Sequence, residues 1–284
     1  MSATVEAPSG KGKSDENFPV GSILIRPALR PHVHAFYDFA RNADDIADSP
    51  DLPAAEKLRR LETMRAVLTG DTQDDAGDDA GDDAPTALRL RASLHETGVT
   101  PQHALDLLQA FRQDATKNRY ASWQELLDYC RYSAMPVGRY VLDLHGEAHD
   151  THPPSDALCA ALQVLNHLQD CARDLDELDR CYLPQDLLFM SSAATADLRG
   201  PDASAGLRRV LDQLLHETDA LVTTGMALPG HVRDRRLRVE TAVIANLARH
   251  LAGRLRREDP LAQRVKLRRT DVVSSVLQAL PRLW

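Results

Sequence analysis

The 284 residues are 43% hydrophobic and 27% charged, with a net charge of −8, enough apolar material for a sizeable core and no electrostatic case for nucleic-acid binding. Aromatic residues make up 5% while Leu, Ala and Arg abound, a mix that favours helices over strands. Cys130, Cys159, Cys171 and Cys181 have neither zinc-like spacing nor the density of a disulfide framework, which excludes a small secreted scaffold and predicts reduced thiols in a cytoplasmic protein.

Residues 1–15 are small, polar and charged and are expected to be disordered. The N-terminal stretch lacks the apolar core of a signal peptide, and no run of about 18 uncharged apolar residues predicts a membrane span. From Pro27 onward Val33, Phe36, Tyr37, Ala40 and Ala43 recur at three- and four-residue steps, predicting a helix that Ser49, Pro50 and Pro53 end. A second helix is expected over 54–68, closing at Gly70.

Residues 71–84 form an acidic low-complexity run with a four-residue Gly-Asp-Asp-Ala repeat. Its spacing lacks the twelve-residue loop and closing Glu of a calcium site, so it reads as a flexible connector extended by like-charge repulsion. Beyond Pro85, helical spacing continues over 86–96, 101–116, 122–148, 155–178, 203–228 and 231–257, with a short helix over 271–280. Gly98, Pro153, Pro154, Pro184, Gly200, Pro201, Pro229, Gly230 and Pro260 punctuate these segments. No segment alternates as strands do. The expectation is an all-α fold in one domain spanning 16–284.

Two aspartate clusters lie inside predicted helices. Arg41, Asp44, Asp45 and Asp48 form the first; Gln163, Asn166, Asp170 and Asp174 form the second. Aspartates four residues apart share a helix face, where like charges cost a few tenths of a kcal/mol, so stability does not favour the arrangement. One such pair alone reads as a solvated face. Two pairs, each beside strongly apolar sequence, point to magnesium, which takes oxygen ligands from one or two carboxylates together with substrate phosphate. Asn166 and Gln163 lie one and two turns before Asp170 and could bond phosphate oxygens. Arg41 could pair with them bidentately. A third segment, Tyr129 to Gly138, sets Tyr129 and Tyr132 among small residues; a tyrosine in a cation-forming cavity can relay a proton or stabilise charge through its ring.

At these three segments the chain resembles the squalene/phytoene synthases, in order from about residue 17 to 267. Tyr37, Arg41, Asp44, Asp45 and Asp48 match the family's first aspartate motif. Gln163, Asn166, Asp170 and Asp174 match the second, and Tyr129, Cys130, Tyr132, Ala134, Val137 and Gly138 match the segment bearing its catalytic tyrosine, which falls on Tyr129. The resemblance implies a helical terpenoid-synthase fold with a central cavity. In it Asp44, Asp48, Asp170 and Asp174 would hold two or three Mg2+ ions around a diphosphate, assisted by Arg41, Asp45, Gln163 and Asn166. Tyr37 and Tyr132 would lie nearby, Phe18 would line the chain pocket, and Arg264 would reach the diphosphate.

Within the family, the stretches 16–22, 165–171 and 178–184 resemble the branch that turns presqualene diphosphate and water into hydroxysqualene and diphosphate, without NADPH. Condensation of two farnesyl diphosphates to presqualene diphosphate, squalene or dehydrosqualene is the nearest alternative, and a non-catalytic isoprenoid-binding protein is another. Gln169 and Arg173 depart from the Arg and Glu usual in phytoene synthases, and Met135 stands where a small or polar residue is usual. Lipophilic substrate and product imply transient contact with the inner membrane face or with neighbouring pathway enzymes, though no amphipathic anchor stands out.

Overall fold

The structure, a computed structural model, describes residues 5–6, 24–71 and 83–283. Phe18, most of the 1–15 tail, the 16–22 stretch and most of the 71–84 connector lie outside the described residues. The chain falls into two compact helical units, residues 1–116 with 140–146 and residues 117–139 with 147–284. Among the described residues, β pairing is confined to an isolated parallel bridge between Arg119 and Cys181.

The first unit contains α1 (Arg30–Asp48), α2 (Ala54–Thr69), α3 (Pro85–Thr97) and α4 (Gln102–Asp114). The apolar stripe of α1 supplies Val33, Phe36, Phe39, Ala43 and Ile46 to a core completed by Leu61, Met64, Leu90, Leu107 and Leu108. Gly70 (φ 80°) and Gly98 (φ 70°) close α2 and α3 in the left-handed conformation that glycine adopts without steric cost. The start of α3 has no capping side chain of its own; the Glu6 carboxylate accepts from the Thr86 amide at 2.7 Å instead. Tyr140 is fully buried, stacks on Phe36 with ring centroids 3.9 Å apart, and donates its hydroxyl to the His32 carbonyl at 3.0 Å.

The second unit contains α5 (Trp123–Ser133), α6 (Met135–Leu144, whose residues from Tyr140 belong to the first unit), α7 (His152–Leu178) and α8 (Gln185–Met190). It continues with α9 (Ala205–Gly225), α10 (Leu228–His231), α11 (Arg235–Leu255) and α12 (Arg269–Ala279). Ala160, Ala161, Val164 and Leu165 of α7 are fully buried, and α9 and α11 pack against that helix. Gly225 permits the approach of α9: a Cβ there would lie 2.8 Å from the Leu158 Cβ. Ser204 and Asp234 cap α9 and α11 by accepting amide hydrogen bonds.

Two expectations need correction. The continuous helix over 122–148 is two helices, broken at Ala134 (φ −125°, ψ −46°). Pro136 lacks the amide that would bond the Tyr132 carbonyl, and its ring clashes with that turn. Between Pro184 and Pro201, where no helix is expected, the chain forms α8 and a short 3-10 turn at Thr195–Arg199.

Candidate active site on two aspartate-bearing helix faces

On α1 the core takes Val33, Phe36, Phe39, Ala43 and Ile46, leaving Tyr37, Arg41, Asp44 and Asp48 half-buried at the edge of that stripe. On α7 the core takes Ala161, Val164, Leu165 and Leu168, leaving Gln163, Asn166, Asp170 and Asp174 half-buried beside it. Steps of four, three and four residues connect Tyr37, Arg41, Asp44 and Asp48. The same steps connect Gln163, His167, Asp170 and Asp174. Each helix therefore presents one continuous polar stripe next to its buried face.

In the first unit Arg41 holds Asp44 at 3.1 Å and Asp45 at 2.8 Å. Asp45 turns inward, its side chain only 5% exposed, so it braces Arg41 rather than facing outward. The Asp44 carboxyl is pushed up to about 8, first by burial, then by Asp48. Arg41 opposes the rise, while Asp114 at the end of α4 and Asp45 add to it. A third of the Asp44 side chain stays exposed (34%), and water tempers the effect. Asp114 is buried and had no sequence signal: seventy positions separate it from Asp44, and only the packing of α1 with α4 relates them.

In the second unit Arg173 pairs with Asp170 at 2.7 Å and approaches Asp174 at 3.9 Å. Burial raises the Asp170 carboxyl and Asp174 adds to that, whereas Arg173, Arg264 and His167 lower it. Arg264, distant in sequence, thus lies within the field of Asp170. Gln169 explains the placement, since its buried amide donates to the Val265 carbonyl at 2.7 Å and ties the 264–265 segment to α7. His167 contacts Gln163 at 3.1 Å and lies 3.9 Å from Asp174. Its fit in the four-three-four register is the signal that could have singled it out.

Tyr129 is 4% exposed and sits in an aromatic cluster. Its ring lies 5.3 Å from Tyr120, 5.7 Å from Tyr182 and 6.1 Å from His167. His167 stacks on Tyr182 at 3.5 Å. Tyr120 and Tyr182 come from segments joined by backbone bonds, with the Cys181 amide donating to Asn118 and the Gln185 amide to Tyr120. Tyr132, on the same helix as Tyr129, is half-buried. The four cysteines are free.

The squalene/phytoene synthase family model matches residues 11–271. A hydroxysqualene synthase of Zymomonas mobilis is 46% identical over 259 residues, covering 90% of this chain and 84% of that protein. One from Rhodopseudomonas palustris is 44% identical over 280 residues, covering 99% and 93%. A squalene synthase from Alicyclobacillus acidocaldarius matches in structure with a TM-score of 0.72 at 32% identity, over 86% of this chain and 90% of that one. A dehydrosqualene synthase in complex with ligand matches with a TM-score of 0.77 at 22% identity, over 95% and 93%, a likeness of fold alone. The all-α architecture is that of the helical terpenoid synthases.

Proposed function

The chain belongs to the squalene/phytoene synthase family, and from that premise we propose that it converts presqualene diphosphate and water to hydroxysqualene and diphosphate. The observation that carries this reading is a pair of helix faces with identical carboxylate spacing, in a chain 44–46% identical to hydroxysqualene synthases over most of its length. The family is a magnesium-dependent class. The residues present fit that ion: Asp44, Asp48, Asp170 and Asp174 are hard oxygen donors, and a bound cation offsets the burial and the neighbouring carboxylate that raise Asp44 and Asp170. Magnesium bound there would neutralise charge gathering on the departing diphosphate.

The chain's own groups then divide the work. Arg41, Gln163, Asn166 and Arg264 would donate to phosphate oxygens and orient the leaving group. The C–O bond breaks with both electrons leaving on diphosphate, the carbon skeleton rearranges, and water adds to the cation with loss of a proton. No electron donor enters this balance, so no NADPH is required. The rings of Tyr129, Tyr120 and Tyr182 would face positive charge on the hydrocarbon. Tyr37, Tyr132 and Phe18 would line the path of the isoprenoid chain. The protein would act in the cytoplasm or at the inner face of the membrane.

The test is incubation of purified protein and Mg2+ with presqualene diphosphate, and separately with farnesyl diphosphate, without NADPH, followed by mass spectrometry. Hydroxysqualene from presqualene diphosphate alone is the expected result. Turnover of farnesyl diphosphate would move the chain to the condensing branch, and no product from either would return it to an isoprenoid-binding role.

A further inference from the structure

Helix α12 is packed the wrong way round for a surface helix of a water-soluble protein. Its inward face is small and polar: Asp271, Ser275 and Ala279 are buried. Polar contacts from α11 hold that face. Arg254 donates to Asp271 at 2.6 Å and Asn246 to the Ser275 carbonyl at 3.4 Å. Its outward face is apolar, with Val272 43%, Val273 57%, Val276 40%, Leu277 60% and Leu280 42% exposed. A surface helix normally turns its apolar stripe inward, and contiguous exposed apolar surface marks an interaction site. A groove runs along this face, lined by Arg269, Thr270, Val273, Ser274, Leu277 and Gln278.

The charges around the face select the occupant. In a chain of net charge −8, residues 266–282 hold Lys266, Arg268, Arg269 and Arg282 against one acid, Asp271. All four cations are exposed, whereas Asp271 is buried against Arg254. An apolar helix face flanked by cations at both ends matches the interface of an anionic bilayer, where aliphatic side chains enter the acyl boundary and Lys and Arg meet the headgroups. A second copy fits less well, because a two-fold pairing of this face would set cations against cations. No helix among the described residues is long and apolar enough to cross a membrane, so the contact would be peripheral. We propose that the outward face of α12 docks this protein on anionic lipid.

Cosedimentation of the full chain with vesicles of phosphatidylglycerol and phosphatidylcholine in equal parts, and of phosphatidylcholine alone, tests this. The wild type should bind the anionic vesicles, more weakly at high salt and more weakly still to neutral ones. V273Q/L277Q should lower binding at least roughly tenfold by removing inserted apolar surface. R269Q/R282Q should lower it roughly tenfold at low salt and erase the preference for anionic lipid. All four positions are exposed, so helical content by circular dichroism and turnover in detergent should stay at wild-type levels. Failure of the wild type to bind, or binding at the wild-type level by either variant, would overturn the proposal. A wild-type dimer that V273Q/L277Q converts to monomer in sedimentation velocity, without vesicle binding, would assign the face to a second copy and overturn it too.

Discussion

Replacing Asp44 by Asn removes the carboxyl that the first unit accommodates least well in its ionised form. In the metal-free protein that group is pushed from 3.8 up to about 8, by burial and then by Asp48. Folded protein therefore holds the proton more tightly than unfolded chain. The associated stability is complete below about pH 4 and falls as pH rises toward 8. An undamped rise of that size corresponds to about 6 kcal/mol at pH 8. The 34% exposure of the side chain and the ion pair with Arg41 at 3.1 Å, which Asn would lose, bring the expected gain down to about 1–2 kcal/mol. Thermal melts followed by circular dichroism in EDTA should place Asp44→Asn a few degrees above wild type at pH 8, with the gap closing toward pH 4. Adding Mg2+ should reverse the order, because wild type gains a ligand-bound folded state that the variant binds less well. A variant that melts at or below wild type in EDTA at pH 8, or a gap that does not change with pH, would refute the penalty that burial and Asp48 place on the ionised Asp44 carboxyl.

Asp44→Ala and Asp170→Ala should each nearly abolish turnover while far-ultraviolet circular dichroism stays unchanged; wild-type rates in either would remove those residues from the metal site. Arg173 holds Asp170 at 2.7 Å and competes with a cation there. Arg173→Gln should therefore lower the Mg2+ concentration for half-maximal turnover by roughly threefold, read from a Mg2+ titration at fixed substrate. Asp271→Ala should destabilise the protein by about 1–3 kcal/mol in urea unfolding, because it removes one of the two carboxylates, Asp271 and Glu258, that pair with the Arg254 guanidinium. Arg254 holds the Asp271 carboxyl below the usual range, so this contribution is present above the ordinary carboxylate pKa. It is lost as pH falls through the lowered one, which acid unfolding of wild type and variant would show as converging curves.

Sequence pattern located most helices because their ends carry residues with local physical effects. Gly70 and Gly98 stop helices through their own backbone freedom, and the apolar step from Val33 to Ile46 defines α1 without reference to any other segment. The break at Ala134 escaped because apolar spacing continues through it, and the proline responsible sits inside the pattern rather than at its edge. Helix α8, six residues long, is too short for any period to register. The two aspartate stripes were legible because each lies on one helix. The groups that tune them were not: Asp114 reaches Asp44 only through helix packing, and Tyr120 and Tyr182 gather around Tyr129 through loop hydrogen bonds. The apolar face of α12 was equally hidden, since sequence alone does not say which side of a helix turns inward.

Tyr140 sets a constraint on how the protein is made. The first unit is built from residues 1–116 and the later stretch 140–146, so four of its helices leave the ribosome before the ring that stacks on Phe36. Until translation passes Leu144, the socket between Phe36 and the His32 carbonyl has no occupant, and the nascent helices expose apolar surface to chaperones and proteases. A fragment ending at Thr116 would remain permanently in that state. Expression of the first unit as a separate piece therefore calls for the 140–146 segment to be supplied, in trans or by a rejoined chain.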